Sequence, residues 1–190
     1  MPCEVLEIDE VVDHFSLTSK TVVVIGKGQN KNKYIWGKNI SVFFINDSML
    51  PSPKCPEEYP SAYDHTSVIV ETHFPKNYPL VNFHCKSIIY IRKIKMTKLE
   101  LIAGCTPSLF ISYLIKHTGV NRILLQGFSF DGVSPINDPF PYDWSRQYKT
   151  IGLCFELARE KKVEIGFVTP CTAMEEFRHY TEEETKSFLE

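Results

Sequence analysis

The chain has 190 residues, of which 43% are hydrophobic and 23% are charged, and its formal net charge is −2. These are ordinary values for a globular domain, and they exclude a disordered or fibrous chain. A nearly balanced charge also gives no reason to expect bulk affinity for nucleic acid or for a membrane surface, because such binding needs a basic face. No apolar run approaches the ~20 residues that span a bilayer. We therefore expect residues 1–190 to form one domain without a membrane span.

The six cysteines are scattered and contain no C-x-x-C pair, and no secretory leader precedes them. This pattern favours reduced thiols in a cytoplasmic protein over a disulfide framework. Several of the thiols are expected to fill the core, since free cysteine behaves as a small hydrophobic residue.

The first part of the chain predicts one peripheral segment, two strands and a loop. Residues 1–20 combine acidic and spaced aliphatic residues, which indicates a short peripheral helix or arm. A run of β-branched residues at 21–25 has no polar alternation, which is typical of a central strand buried on both faces. A second apolar run at 40–45 predicts the next strand. Residues 51–65 hold four prolines and few aliphatic residues, so we expect a loop.

The remainder of the chain alternates strands with helices. Thr106 and Pro107 suit the start of a helix, with Thr106 as its cap, and Gly119 suits its end. A long loop at 128–143 precedes a second helix, and a helical tail begins near residue 173. The predicted strands are 67–70, 87–91, 122–126 and 163–168, and the predicted helices are 107–118 and 145–162.

Strand–helix–strand alternation predicts an α/β domain in which helices flank a mostly parallel central sheet. In such sheets, ligands bind at the carboxyl ends of the strands, near the point where the strand order reverses. We therefore treat the polar segments beside the predicted strand ends as candidate binding residues. The loops 51–65 and 128–143 are expected to lie over the same site.

A glycine turn follows the first buried strand. Gly26 and Gly28 let the backbone approach a phosphate or ribose closely, and Lys27 or Asn30 adds side-chain donors. The turn lacks the third glycine of the dinucleotide fingerprint, and it is not a Walker A loop. A plain tight turn is the alternative interpretation.

Two further polar segments stand at predicted element ends. Asn46 and Asp47 follow the second strand, where they indicate either a contact to a base or ribose or a simple Asx turn. Thr106 and Ser108 lie at a helix start, where free N–H groups and the helix dipole favour an anion. Capping of the helix by Thr106 explains the same residues without a ligand.

The loop 128–143 and the residues after it concentrate charged and aromatic side chains. Its carboxylates can bind a divalent cation or supply a general base, although solvated loop carboxylates often do neither. Tyr142 and Arg146 are candidate donors to a phosphate. The three carboxylates in this loop are Asp131, Asp138 and Asp143.

Taken in order, these segments resemble the bacterial family-42 sialyltransferases and the related archaeal 6-hydroxymethylpterin pyrophosphokinase-like proteins. In that group a strand ends in a glycine-rich turn, as residues 24–30 (VIGKGQN) do here, and a second strand ends in asparagine, matched by Asn46. A hydroxyl-bearing turn then starts a helix that leads into a G-x-x-x-I-x-L-x-G-x-D-F segment, here residues 119–130 (GVNRILLQGFSF). The similarity covers roughly residues 20–175.

The resemblance implies a modified Rossmann-like fold that binds a nucleotide, which in the sialyltransferases is the CMP of an activated sugar. It implies that Gly26, Gly28 and Asn46 hold the nucleotide, and that Thr106 and Ser108 lie near its phosphate.

The chain departs from the pattern of that group in several places. Lys27 replaces an asparagine of the first turn, Gln29 and Asn30 replace its Pro-Ser, and Ser129 replaces the aspartate of the G-x-D-F segment. The lid on the acceptor side is also much shorter. The catalytic histidine of the group falls near residues 144–145, where this chain has Trp and Ser. These departures affect sialyl transfer more than nucleotide binding.

The polar turns and the resemblance together predict a transferase, namely a small, sialyltransferase-like glycosyltransferase. It would move a sugar from a CMP- or UDP-type nucleotide donor to a hydroxyl acceptor, with no further cofactor assigned. Asp143 or Asp131 is the expected base. The helix start at Thr106 and Ser108 is expected to stabilise the leaving phosphate, with positive charge added by Lys27 or Arg146 and a further hydrogen bond donated by Tyr142.

Two alternatives remain open at this stage. One is a pyrophosphokinase-like transfer that needs Mg²⁺ on the loop carboxylates. The other is a non-catalytic nucleotide-binding or sensing module, which the missing histidine favours. A homo-oligomer is compatible with each of them.

Overall fold

The computed structural model describes residues 4–26, 28, 40–45, 48, 66–71, 87–128, 130 and 144–189, with residues 66–71 and 144 described by their backbone alone. The predicted α/β fold is confirmed. The strands are β1 (Glu4–Glu7), β2 (Thr21–Ile25), β3 (Ser41–Ile45), β4 (Thr66–Glu71), β5 (Ser87–Ile91), β6 (Arg122–Gln126) and β7 (Glu164–Phe167). The helices are α1 (Val11–Phe15), α2 (Lys93–Lys98), α3 (Thr106–His117), α4 (Trp144–Lys161) and α5 (Glu182–Ser187), with 3-10 turns at Ile8–Glu10 and Thr172–Met174.

The strands form one seven-stranded sheet in the order β1-β5-β4-β3-β2-β6-β7. Each neighbouring pair is parallel. From β2 to β5 the chain adds strands in one direction, and it then returns to place β6 on the other side of β2. The strand order therefore reverses between β2 and β6, which is where open parallel sheets of the Rossmann type hold their ligands.

The prediction that residues 21–25 form a buried central strand is confirmed. Val22 and Val24 belong to the same apolar cluster as Phe110 of α3. The alternate residues Val23 and Ile25 lie on the opposite face of the sheet, and all four β2 side chains are fully buried. Burial on both faces explains why residues 22–25 carry no polar side chain, whereas Thr21 at the start of the strand is partly exposed.

α3 and α4 pack side by side on one face of the sheet. The Cys154 thiol of α4 lies 3.6 Å from the carbonyl oxygen of Ser108 in α3. Near the helix starts, the Cys105 sulfur lies 3.5 Å from the Thr150 hydroxyl. A Cβ added to Gly104 would lie 2.2 Å from Thr150 Cγ2, so this close packing requires glycine there.

Both helices run opposite to the strands. After α3, the Gly119 carbonyl accepts a 2.8 Å hydrogen bond from Ser19 N–H, just before β2. After α4, the Glu164 N–H donates to the carbonyl of Asn121, just before β6. The carboxyl ends of the two helices therefore lie at the amino edge of the sheet, and their amino ends lie at the edge where the strands end.

One detail of the predicted helix start is wrong. The capping residue of α3 is Cys105, in extended conformation, and Thr106 is already helical. Ser108 completes the turn, because its hydroxyl accepts a 3.2 Å hydrogen bond from Cys105 N–H. The predicted helix end is confirmed, since Gly119 follows α3 with a φ of 68°, a conformation that favours glycine.

Other segments differ more from the prediction. Residues 1–20 contain the predicted short helix, α1, but also an edge strand that was not predicted, β1, in which the only buried residue is Leu6. Such a short segment with one buried side chain has no readable periodicity, and its partner β5 is distant in sequence. α2 was not predicted, because its sequence KIKMTK buries no residue. The tail predicted to be helical from about residue 173 is helical only in α5; before α5 it forms turns and one isolated bridge, between His179 and Phe167.

The apolar contact between α3 and β3 can be tested at Phe110. This ring is fully buried and lies 4.9 Å from the Phe43 ring, centroid to centroid. We expect Phe110→Ala to lower the free energy of unfolding by ~3–5 kcal/mol, because it leaves a cavity in the core. Leu153→Ala on α4 is the control, since that side chain is 41% exposed, and its cost should stay below ~1 kcal/mol. Equal losses in denaturant titrations would contradict this account of the core.

Candidate functional site

The candidate site lies at the carboxyl edge of the sheet, where the strand order reverses. Beyond the strand ends, Gly26 N–H donates to the Gln126 carbonyl at 2.8 Å, and Gly28 N–H donates to the Gly127 carbonyl at 2.6 Å. The glycine turn therefore continues the pairing of β2 with β6. Gly127 has a φ of 69°, which a glycine adopts without strain.

Gly26 is required by packing. An added Cβ would lie 2.8 Å from the Gly127 carbonyl oxygen and 3.3 Å from the Phe128 ring. This explains the glycine without a ligand, and Gly26 is buried, whereas Gly28 is partly exposed. The N–H groups of both glycines donate to β6, so neither is free to bind a ligand. At Gly28, which has no side chain, a ligand can still come close to the backbone.

Two hydroxyl groups hold the strand ends together, that of Ser48 in the polar segment after the second predicted strand and that of Thr169, which the sequence did not single out. The Thr169 hydroxyl, which follows β7, accepts a buried 3.0 Å hydrogen bond from Gly127 N–H. The Ser48 hydroxyl donates a buried 2.9 Å hydrogen bond to the Ile25 carbonyl. Gln126, the last residue of β6, is also fully buried. The available signal was a polar residue at or within three residues of the end of a predicted buried strand.

The start of α3 differs from the predicted phosphate contact. Thr106 and Ser108 are both buried, at 4% and 0% exposure. The Ser108 hydroxyl donates to the Cys105 carbonyl at 2.9 Å or to the Ile102 carbonyl at 3.0 Å. Its hydrogen-bonding capacity is used inside the turn, so its role here is to shape the helix start. The partly exposed residues at this turn are Gly104 and Cys105.

The start of α4 brings a cation to the same corner. Arg146 is exposed, and its carbonyl accepts a hydrogen bond from Thr150, four residues later. Since Thr150 contacts Gly104 and Cys105, Arg146 lies one helical turn beyond them on the same side of α4. Neither helix has an acidic residue in its first turn. Two positive helix ends and a guanidinium group therefore meet at one corner of the sheet.

The two thiols near this corner differ in reactivity. Cys105 is partly exposed, whereas Cys154 is buried. Burial raises the pKa of the Cys154 thiol well above its ordinary value, and the nearby Cys105 raises it further. Since the thiolate is the reactive form, Cys154 is chemically inert and Cys105 is the accessible thiol of the pair.

The structure brings the described members of the predicted site to one edge. Gly26, Gly28, Thr106, Ser108 and Arg146 all lie where the strands end or where α3 and α4 begin. The other predicted members lie outside the described residues, as do the loops 51–65 and 131–143. These members are Lys27, Asn30, Asn46, Asp47, Asp131, Tyr142 and Asp143.

The bond between Gly127 and Thr169 can be tested directly. Thr169→Val keeps the shape of the side chain but leaves the buried Gly127 N–H without an acceptor, so we expect a loss of ~1–3 kcal/mol in the free energy of unfolding. Thr169→Ser keeps the hydroxyl group and should lose less. Chemical denaturation of both variants measures the difference. Equal stability of the Val and Ser variants would show that the hydrogen bond contributes nothing.

The chain matches no protein-family model, and the searches of curated proteins and of solved structures also gave no match. Within the described residues, no group of three or more His, Cys, Asp or Glu side chains is arranged to hold a metal ion. The helices in this part of the chain also include none with the length and apolar character needed to cross a membrane.

Proposed function

We propose that this chain binds a nucleotide-type phosphate ligand at the carboxyl edge of its sheet, between β2 and β6. The observation that carries the proposal is the meeting of the starts of α3 and α4, which have no acidic residue in their first turns, with Arg146 beside the reversal of strand order. Free N–H groups and aligned dipoles at helix starts favour anions, and a guanidinium group adds paired donors.

The ligand's phosphate would be held mainly from the helix side of the crevice. The N–H groups of Gly26 and Gly28 already donate to β6. At the start of α3, Pro107 has no N–H and the Ser108 N–H donates to the Cys105 side chain, so we expect the amide donors to come mainly from the first turn of α4. The glycine turn would contribute close backbone approach at Gly28. Lys27 and Asn30 would add side-chain donors, and Asn46 and Asp47 would contact the base or ribose.

The reaction we propose is glycosyl transfer from a nucleotide-activated sugar. A hydroxyl oxygen of the acceptor attacks the anomeric carbon, and the bond from that carbon to the nucleotide phosphate breaks. Asp143 or Asp131 would accept the hydroxyl proton as the general base. Arg146 and the helix ends would stabilise the charge that develops on the leaving phosphate, with Tyr142 as a further donor.

A second candidate is a non-catalytic nucleotide-binding or sensing module. It is favoured by Trp144 and Ser145, which stand where the resembling sialyltransferases carry their catalytic histidine. This candidate predicts tight nucleotide binding without turnover of nucleotide sugars or nucleoside triphosphates. The Mg²⁺-dependent pyrophosphoryl transfer differs from both, since a chelator would abolish it.

Binding can be tested by a thermal-shift screen of CMP, UDP, GDP, ATP and their sugar conjugates. A ligand at ~100 times its dissociation constant adds ~2.7 kcal/mol of stability. We expect Arg146→Gln to weaken the best ligand at least ~tenfold, because a hydrogen bond to a charged group is worth ~1.5–3 kcal/mol. Arg159→Gln is the matched control, since it makes the same change near the other end of α4.

The reactivity of Cys105 gives an independent measure of binding at this corner. The rate of alkylation of each thiol can be measured by peptide mass spectrometry. The ligand should slow the alkylation of Cys105, whereas buried Cys154 should react slowly with or without ligand. A stabilising ligand that is insensitive to Arg146→Gln and leaves Cys105 fully reactive would place binding elsewhere and contradict the proposal.

The catalytic assignment is tested by single substitutions in the loop. We expect either Asp143→Asn or Asp131→Asn to reduce turnover at least ~100-fold with little change in donor affinity, because a general base acts on the reacting proton. Asp138→Asn makes the same change at the third loop carboxylate and should leave turnover nearly unchanged. Full activity of both the Asp143 and the Asp131 variants would remove these residues from the mechanism.

A further inference from the structure

The far edge of the sheet carries a second feature, which we call the C-terminal strap and define as residues 177–189. The strap lies along the outer side of β7, the last strand of the sheet. Phe167 N–H donates to the Arg178 carbonyl at 2.9 Å, and Tyr180 N–H donates to the Phe167 carbonyl at 2.8 Å. His179 thus forms a parallel bridge with Phe167. The strap therefore satisfies backbone groups that an edge strand would otherwise leave open.

Gly166 of β7 gives the strap room to lie against the sheet. A Cβ at this position would lie 2.6 Å from the Tyr180 ring and 2.9 Å from the Arg178 carbonyl oxygen. Because one of these atoms belongs to the strap backbone, a side-chain rotation alone cannot relieve the contact. Any residue larger than glycine must therefore push the strap away from β7.

The end of the strap is held by aromatic contacts. The Arg122 guanidinium lies 3.6 Å from the centroid of the Phe188 ring, and Glu164 forms a 2.6 Å ion pair with the same arginine. The Phe188 ring also packs edge-on against Tyr180 at 5.2 Å. Arg122 and Glu164 begin β6 and β7, so the strap ends at the amino edge of the sheet.

The strap is weakly buried compared with the residues that lead into it. Thr185 is its only buried residue, at 7% exposure, whereas Cys171 and Met174 before the strap are at most 1% exposed. The ion pair between Arg178 and Glu184 lies within the strap, so it does not fasten the strap to the sheet. Segments with little buried apolar surface open at low free-energy cost.

An open cavity of about 690 Å³ is lined by Arg159 and Ile165 of the domain and by Tyr180 and Phe188 of the strap. At its beginning the strap packs on α4, because the Phe177 ring lies 4.5 Å from the Phe155 ring, centroid to centroid. The strap thus touches the domain at Phe155, at the β7 edge and at Arg122, with an open cavity beside these contacts. This arrangement distinguishes it from the closely packed sheet core.

We propose that the C-terminal strap is a detachable cap of the β7 edge: it opens as a unit while the sheet stays folded, and the open edge accepts the strap of a second copy of the chain. The contacts that hold the strap lie on β6, β7 and α4, so a strap from another copy can form the same contacts. Exchange of an identical element between copies needs no new interface. The open β7 edge would bind an extended segment that carries aromatic residues at the positions of Tyr180 and Phe188.

Amide hydrogen exchange on the full-length chain tests the opening, and two adjacent residues provide an internal comparison. Phe167 N–H points outward to the strap, whereas Val168 N–H donates inward to the Leu125 carbonyl at 3.0 Å. We expect the amide hydrogens of Phe167 and Tyr180 to exchange at least ~10-fold faster than that of Val168. Opening of the strap breaks the hydrogen bonds of Phe167 and Tyr180 but leaves the hydrogen bond of Val168 intact. Equal protection of all three amides would overturn the proposal.

A matched pair of glycine variants tests what holds the strap. Gly166→Ala should increase exchange at Phe167 and Tyr180 at least ~tenfold and leave Val168 protected. Gly152→Ala is the control, because its Cβ would meet only the Phe177 ring at an ordinary 3.6 Å. Phe188→Ala weakens the strap without a clash and should act in the same direction as Gly166→Ala. Unchanged exchange in both Gly166→Ala and Phe188→Ala would contradict the proposal.

Acceptance of a second strap is tested with a labelled peptide of residues 175–190. The peptide should bind the full-length Phe188→Ala chain, whose own strap is weakened, at least ~tenfold more tightly than the unaltered chain, whose strap competes with it. Adding Gly166→Ala to the Phe188→Ala chain should abolish this binding, because the receiving edge is then blocked. No binding of the peptide to the Phe188→Ala chain, or equal binding to all three chains, would contradict the proposed exchange of straps between copies.

Discussion

The close approach of two backbones at the carboxyl ends of β2 and β6 is the constraint on which the candidate site depends. Gly26 has no room for a side chain beneath the Gly127 carbonyl and the Phe128 ring, and its N–H donates to β6. The hydrogen bonding between β2 and β6 therefore continues past the strand ends. The Thr169 hydroxyl, which accepts from Gly127 N–H, links this region to the segment after β7. The strand ends at the reversal of strand order are thus held in place by backbone geometry. The proposed ligand contacts can then come from the adjacent helix starts, α3 and α4.

The sequence predicted the part of this arrangement that depends on long apolar runs. The predicted strands and the two long helices are observed with ends that differ by at most one residue. A strand such as β2 must be apolar where both of its faces are buried, at residues 22–25, and a helix such as α3 needs several apolar turns, so both leave a signal in the sequence. The location of the candidate site then followed from the rule that parallel sheets bind ligands where strands end.

The remaining features depend on contacts between residues that are distant in sequence. Cys105 caps α3 because Gly104 must fit against Thr150, 46 residues later, which fixes how the chain enters the helix. The hydroxyl group of Ser108 is predicted from the sequence to lie near a phosphate, but its hydrogen bonds are made within that turn. β1 and the strap pair with strands through few buried side chains, so their sequences carry no periodic signal. Local pattern alone cannot supply such information.

The separation between Thr169 and Phe188 has a practical consequence. The chain leaves β7 at the carboxyl edge, beside the candidate site, but the strap carries it back so that Phe188 rests on Arg122 at the start of β6. A fluorophore or an affinity tag attached beside Phe188 would therefore lie at the opposite edge of the sheet from the candidate site. Immobilisation through that position would orient the candidate site toward solvent and leave it accessible.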